Sequence, residues 1–227
     1  RNDIIVRGGA PNENRFYLDG IEVPNINHFA TQGSSGGPVG MINVNFIKEV
    51  DFYAGAFPAN RGNALSSVMD FSLIEGNDER MAGSFMLGSS DIGLTLDGPM
   101  GKKSTYILSV RRSYLQFLFQ ALGLPFLPTY NDFQYKQTIK LDKKNKINII
   151  GLGAIDDFEL NRGVNDNITD AETIERNNYI LGNLPVNTQW NYTVGANWKH
   201  FSDNSYQNVV ISRNHLNNAS TKYTNNI

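Results

Sequence analysis

The sequence predicts a small mixed α/β unit over residues 1–77, followed over residues 78–227 by antiparallel strands of the transmembrane β-barrel kind, an incomplete barrel. Three observations lead there. The texture changes near residue 77, from short apolar runs among Gly, Pro and Asn to long segments of alternating polarity. The alternation has the period of two that belongs to strands. From the third strand onward, short and long connections alternate, as the periplasmic turns and extracellular loops of outer-membrane barrels do.

In the second part, strands are expected at 80–89, 91–98, 104–112, 131–141, 147–158, 188–200 and 206–215. Most are close to the roughly 9–11 residues that a tilted strand needs to cross a bilayer. The clearest is 188–200, where Trp190, Tyr192, Val194, Ala196 and Trp198 share one face and Asn191, Thr193, Gly195 and Asn197 the other. Its apolar face is aromatic at the ends and aliphatic in the middle, the order a lipid-facing strand with interfacial aromatic girdles needs. Trp190, Tyr192 and Trp198 are therefore the expected girdle residues. An arginine at Val194 should be costly and one at Thr193 nearly neutral. Ile92, Leu94 and Leu96 alternate with Gly93, Thr95 and Asp97, and Tyr106, Leu108 and Val110 with Thr105, Ser109 and Arg111. Ile107 breaks this second pattern, and Ile149 with Ile150 leaves the faces of 147–158 ambiguous.

Alternation alone fits the inner face of a soluble β-sandwich equally well. Connection lengths favour the barrel: 98–103, 142–145 and 202–205 are tight, whereas 113–130 and 159–187 are long. Within the first long connection, Leu115, Leu118, Phe119 and Leu122 lie at helical spacing, and Gly123 with Pro125 would end the helix. It would pack on the rim or on the first unit, or form a docking face.

Composition excludes several function classes. Cysteine is absent, which removes disulfide frameworks, thiolate catalysis and Cys-based zinc sites. A formal net charge of -2 gives no polyanion-binding signal, so no nucleic-acid partner is expected. Only 19% of residues are charged, and no apolar run reaches the roughly 18 residues of a membrane helix. His28, His200 and His215 lie in different segments without metal-ligand spacing, so no metal or cofactor is expected. Gly36-Gly37-Pro38-Val39-Gly40 lacks the Lys-Ser/Thr of a phosphate loop. Asp156, Asp157, Asp166 and Asp170 form no regular calcium loop and read as loop solvation. No catalytic arrangement emerges, and the chain is read as a non-enzyme.

The first part carries the specific motifs. Ile4-Ile5-Val6-Arg7-Gly8-Gly9 is followed by Phe16-Tyr17-Leu18-Asp19-Gly20-Ile21-Glu22-Val23-Pro24, an Asp-Gly turn between apolar runs. Next come Phe46-Ile47-Lys48-Glu49-Val50-Asp51-Phe52-Tyr53 and Ala64-Leu65-Ser66-Ser67-Val68-Met69-Asp70-Phe71. In this order the series resembles the plug domain of TonB-dependent outer-membrane receptors, most closely those of Bacteroidetes, and Arg111-Arg112-Ser113-Tyr114 resembles the same subgroup.

The resemblance implies a plug over 1–77, lacking its N-terminal part, and the first strands of a barrel of about 22 strands over 78–227. It implies a receptor in the outer membrane of a Gram-negative bacterium that takes up a small molecule, glycan or peptide. Its partners would be TonB, through a segment before residue 1, the membrane lipid and in some receptors a surface lipoprotein. Family plug arginines pair with carboxylates on the barrel wall. Arg7 keeps its motif position, while Ala54-Gly55 stands where the family has Arg-Gly, with Arg61 as a substitute. The polar loop 25–43 is expected to form a wet interface with the wall, and Gly8, Gly9 and Gly62 to supply positive φ. A soluble β-rich carbohydrate-binding or adhesion module is the alternative reading.

Overall fold

The computed structural model describes residues 3–31 and 33–222. Its first 77 residues form a mixed sheet. β1 (Asn14–Leu18) turns through Asp19 and Gly20 into β2 (Ile21–Val23), and β5 (Ile47–Tyr53) leads to β6 (Ser67–Leu73). The order is β2-β1-β6-β5, with β1 and β6 parallel and the other pairs antiparallel. The short strands β3 (Asn27–His28) and β4 (Val39–Gly40) pair separately. Asp19 and Gly20 have φ of 48° and 84°, the two positive values that a twist-matched hairpin turn requires.

This unit departs from the expected α/β composition. Among its described residues the only helical pieces are single 3-10 turns at Pro11–Glu13 and Val44–Phe46. Gly, Pro and Asn divide the segment into runs too short to repay helix nucleation. Of the three glycines expected at positive φ, Gly8 is (76°) and Gly9 and Gly62 are not, while Arg7 beside Gly8 and Asn63 beside Gly62 take positive values of 52° and 60°.

The rest is one antiparallel meander. β7 (Ala82–Leu87), β8 (Asp91–Pro99), β9 (Ser104–Ser113), β10 (Phe126–Lys140), β11 (Asn145–Leu160), β12 (Val186–Phe201) and β13 (Tyr206–Thr221) pair in sequence order. Among the described residues the sheet is open and its strands follow one another in sequence order, without the Greek-key crossings of a sandwich. β10 to β13 run 15–16 residues, longer than expected, and so extend past a bilayer's thickness. The first long connection contains α1 (Leu115–Ala121), as its spacing predicts, with Gly123 at φ 64° just beyond. The second contains α2 (Ala171–Asn183), which the loop reading missed; Asp170 is its N-cap, accepting from the Thr173 amide at 2.9 Å.

The first unit lies against one face of the meander. Leu18, Ile21, Val23, Met41, Phe46 and Leu73 are buried in one core with Ile107, Ile150, Leu152 and Ala154 of β9 and β11. Ile107 and Ile150, which broke the pattern, are 0% and 1% exposed. They are apolar on the otherwise polar inward face because that face meets protein there, not water. Gly195 on β12 lets Ile21 approach: an added Cβ would lie 2.9 Å from Ile21 Cδ1 and 2.9 Å from the Ile211 carbonyl oxygen.

The opposite face carries the exposed apolar groups. Register places Leu96, Leu108, Tyr135, Gly151 and Val194 in one row across five strands. Trp190 and Val194 are each 42% exposed on this side, while Thr193 and Asn197 are buried under the first unit. The two faces of β12 therefore separate as its sequence predicts.

Candidate functional site

Buried polar and charged contacts gather in the seam between the first unit and the inward face of the meander. Connections after β7, β9 and β11 lie at one end of the sheet; those after β8, β10 and β12 lie at the other. The first end holds the long connections, and the seam has a separate polar cluster toward each end.

At the long-loop end, His28 of β3 is fully buried between two wall carboxylates. Its Nδ1 is 2.6 Å from Asp156 Oδ1 on β11, and its Nε2 is 2.8 Å from Asp132 Oδ2 on β10. Carboxylates only accept, so satisfying both contacts requires both ring N–H groups, the imidazolium form. Burial opposes that charge, but the hydrogen bonds and charges of Asp132 and Asp156 outweigh it, and the His28 pKa is raised. Tyr130 stacks on the ring with centroids 4.1 Å apart, and its hydroxyl donates to Asp91 on β8. Arg111 of β9 pairs with Asp132 Oδ2 at 2.8 Å and donates to the Gly40 and Met41 carbonyls at 2.7 and 3.1 Å. The Phe29 amide donates to Asp156 Oδ2 at 2.8 Å. Both ring nitrogens of His28 are thus engaged by carboxylates, leaving no lone pair for a metal.

Toward the short-turn end, Lys136 of β10 is buried against Asp19 at 2.8 Å and donates to the Leu73 carbonyl at 2.9 Å. Asn197 of β12 donates to the Asp19 carbonyl at 2.9 Å. Between the two clusters, the Asn43 amide donates to Gln134 Oε1 at 2.8 Å and the Asn43 side chain to Ser109 at 3.0 Å. Glu75, in the segment leading to β7, pairs with Lys146. The seam is thus a small apolar centre bounded by buried charge and amide contacts. Such a surface docks in one register, because each buried charge has a partner only there.

Several sequence expectations resolve here. Loop 25–43 was read as wet, but His28, Ala30 and Met41 within it are buried. Asp156 was read as loop solvation and is a 2% exposed partner of His28. The contacts of the two expected plug arginines fall within the first 77 residues. Arg61 pairs with Asp70 of β6 and lies 4.4 Å over the Tyr17 ring. Arg7 lies against Gly55, where an added Cβ would meet its Nη1 at 2.7 Å. Trp190, Tyr192 and His215 stack on the outward face, with Trp190 and His215 centroids 4.4 Å apart, and Trp198 stacks on His200 at 5.8 Å. The terminal residues 223–227 lie outside the described residues.

No family model matches the sequence, and no curated protein matches it. Solved structures do match. The siderophore receptor PirA from Acinetobacter baumannii superposes with a TM-score of 0.64 at 13% identity, covering 94% of this chain and 33% of that one. The chain has the fold of these receptors. PirA from Pseudomonas aeruginosa gives 0.62 at 10% identity over 95% of this chain and 35% of its own. The ferripyoverdine receptor of the Pseudomonas aeruginosa outer membrane gives 0.55 at 13% identity over 88% and 27%. The chain therefore spans about a third of the length of the structures it matches.

Proposed function

We propose that the chain is part of a TonB-dependent outer-membrane receptor of a Gram-negative bacterium, of the Bacteroidetes type, with residues 1–77 from the plug and 78–227 the first barrel strands. The observation that carries this reading is the inverted polarity of the meander. The meander exposes apolar side chains such as Leu94 and Val194 outward and buries Gln134, Lys136, Thr138 and Asn148 inward, under the first unit. A water-soluble sheet does the reverse, whereas a barrel wall around a polar plug needs this arrangement. The fold shared with siderophore receptors supports it. A soluble carbohydrate-binding or adhesion module leaves the outward apolar face unexplained.

In this reading the first unit occludes the lumen, and the seam holds it in place until the energy-coupling protein TonB displaces it to admit a ligand. Trp190, Tyr192 and Trp198 meet the lipid interface. Arg7 and Arg61 remain candidates for contacts with wall carboxylates on further strands, and a surface lipoprotein is a further partner of the type. The chemistry is transport, not catalysis.

Native cysteine is absent, so single cysteines can be labelled without background. In the full-length receptor on intact cells, a cysteine at Asn165 or Asp170, in the long β11–β12 connection, should react with a membrane-impermeant maleimide. One at Lys144 or Asp203, in the short turns, should react only after the outer membrane is opened. The opposite pattern inverts the barrel, and no surface labelling at any of the four positions refutes the outer-membrane reading.

A further inference from the structure

Past the Lys136–Asp19 pair, toward the short turns, the inward face of the meander ends in a row of like charges. Lys103, Lys140, Lys146 and Lys199 stand two residues from Thr105, Thr138, Asn148 and Asn197, which are buried on that face. The period of two along a strand puts the four lysines on the same inward face. Lys140 is in register with Lys146, and Lys146 with Lys199. The Lys140 amide donates to the Lys103 carbonyl at 2.8 Å, which carries the row onto β9. The lysines thus oppose one another across the adjacent strands β9, β10, β11 and β12.

Like charges directly opposite one another destabilise a sheet. In the buried seam this is avoided, since Lys136 has Asp19 and Arg111 has Asp132. On the lysine row, Glu75 is the one carboxylate within ion-pair distance among the described residues. It contacts Lys146 and, at 3.5 Å, Lys140. Burial would raise the Glu75 pKa, but the hydrogen bond and charge of Lys146 and the charge of Lys140 outweigh it, and the pKa is lowered. Lys103 donates to the Leu141 carbonyl at 2.7 Å, and Lys199 has neither a hydrogen bond nor an ion pair among the described residues. The nearby turn carboxylates are engaged: Asp142 accepts from the Lys144 and Asn145 amides at 2.7 and 2.8 Å, and Asp203 pairs with Lys144 at 3.1 Å. The row is open to solvent, with Lys103 exposed and the Lys140 side chain 55% exposed.

We propose that this lysine ladder is a docking site for an acidic peptide segment of a partner protein, whose carboxylates join Glu75 on the row and take the open positions at Lys103 and Lys199. Glu75 displays the fit: one carboxylate between the ammonium groups of two neighbouring strands, with an uncompensated lysine on either flank. Neighbouring strands lie about 4.8 Å apart, so the ladder spans about 15 Å, the length of an extended segment of roughly five residues. The ladder is on the face opposite the exposed apolar one, so a bilayer against that apolar face does not cover it. The inference rests on the receptor reading, which puts the short turns, and with them the partner, on the periplasmic side.

The test uses the purified full-length receptor in neutral detergent at low ionic strength, titrated into rhodamine-labelled hexaglutamate and hexalysine and followed by fluorescence anisotropy. Hexaglutamate should bind, hexalysine should not, and added salt should weaken the binding. Lys103→Gln combined with Lys199→Gln should weaken it about tenfold, a few-fold for each exposed ion pair lost. Arg162→Gln combined with Arg176→Gln removes the same charge at the long-loop end and should leave the affinity unchanged. Glu75→Gln, which frees Lys140 and Lys146, should tighten it. Retained heat-modifiability on gels shows that each variant keeps its barrel. Absence of hexaglutamate binding, equal loss in the two double variants, or an unchanged affinity in Glu75→Gln overturns the proposal. Tighter ladder-dependent binding of dihexanoyl phosphatidylglycerol than of hexaglutamate assigns the row to a lipid headgroup and overturns it as well. Cysteine labelling at Lys144 on intact cells separates the two readings: protection there without hexaglutamate binding sinks the docking site alone, and labelling there with binding retained sinks the orientation of the receptor.

Discussion

Replacing His28 with leucine tests how the seam is held. The imidazole is fully buried and bridges Asp132 and Asp156, but the two carboxylates are not left in the same state when it goes. Asp132 keeps the Arg111 guanidinium, with contacts of 2.8 and 3.1 Å. Asp156 keeps only the Phe29 amide on Oδ2 and loses its partner on Oδ1. Leaving one buried charge uncompensated costs about 3–5 kcal/mol. That cost falls on docking of the first unit, because the two sides of the clamp lie in different sheets. At 1.36 kcal/mol per decade, it corresponds to roughly a 10²- to 10⁴-fold rise in local opening. Hydrogen exchange of the 27–31 amides and of the Met41 amide, which donates to the Ile26 carbonyl at 2.8 Å, reads this opening. Exchange in β10 and β11 themselves should change far less. Removing Asp156 together with His28, as His28→Leu with Asp156→Leu, should recover part of the loss, since the uncompensated charge is gone and only the Phe29 amide is left without its acceptor. A single variant that opens the loop less than tenfold, or a double variant no better than the single, would refute the claim that charge pairing holds this end of the seam.

The clamp also predicts a pH dependence. His28 has a raised pKa in the folded state, so its stabilisation is complete below the unfolded value of about 6.5 and is lost as pH rises through the higher folded value. Exchange protection of residues 27–31, corrected for intrinsic rates, should fall over that window, and His28→Gln should remove the dependence. Val194→Arg should cost roughly 2–4 kcal/mol of barrel stability in a bilayer, read by refolding into vesicles. Thr193→Arg, expected from sequence to be nearly neutral, should instead displace the first unit, because Thr193 is 3% exposed beneath it; exchange at residues 16–23 should rise without impaired membrane insertion. Gly195→Ala should loosen the same hairpin, since its methyl would meet Ile21 and the backbone carbonyl of Ile211, both at 2.9 Å; unchanged protection of Ile21 would contradict that contact.

The strands and the Asp19-Gly20 hairpin were legible because their signals are local. Period two shows within one segment, and the turn chemistry within two residues. The helix after β9 was legible from the spacing of Leu115, Leu118, Phe119 and Leu122. α2 was missed although Asp170 stands three residues before Thr173, a capping pattern that the long-loop reading obscured. The seam was not legible as such. His28 finds its carboxylates 104 and 128 residues away, and nothing near it in the chain announces them. The best available trace was negative: Ile107 and Ile150 broke the alternation where the first unit rests on the wall. Asp156 looked like a loop residue because its neighbour Asp157 shares its type, yet the two point to opposite faces of β11.

The footprint of the first unit has a consequence for the order of assembly. Its wall contacts in the shared core lie between Ile107 and Ala154, on strands that follow it closely in the chain. The His28 clamp is complete once β8 to β11 are paired, and the Asp19 contacts once β12 joins them. All of these contacts are thus made on an open sheet. The cost of bringing such segments together grows only slowly with their separation. Docking of the unit therefore requires no closure of the sheet. A sheet whose inward face would otherwise show Lys136 and Asp156 unpaired carries its own cover within the same chain.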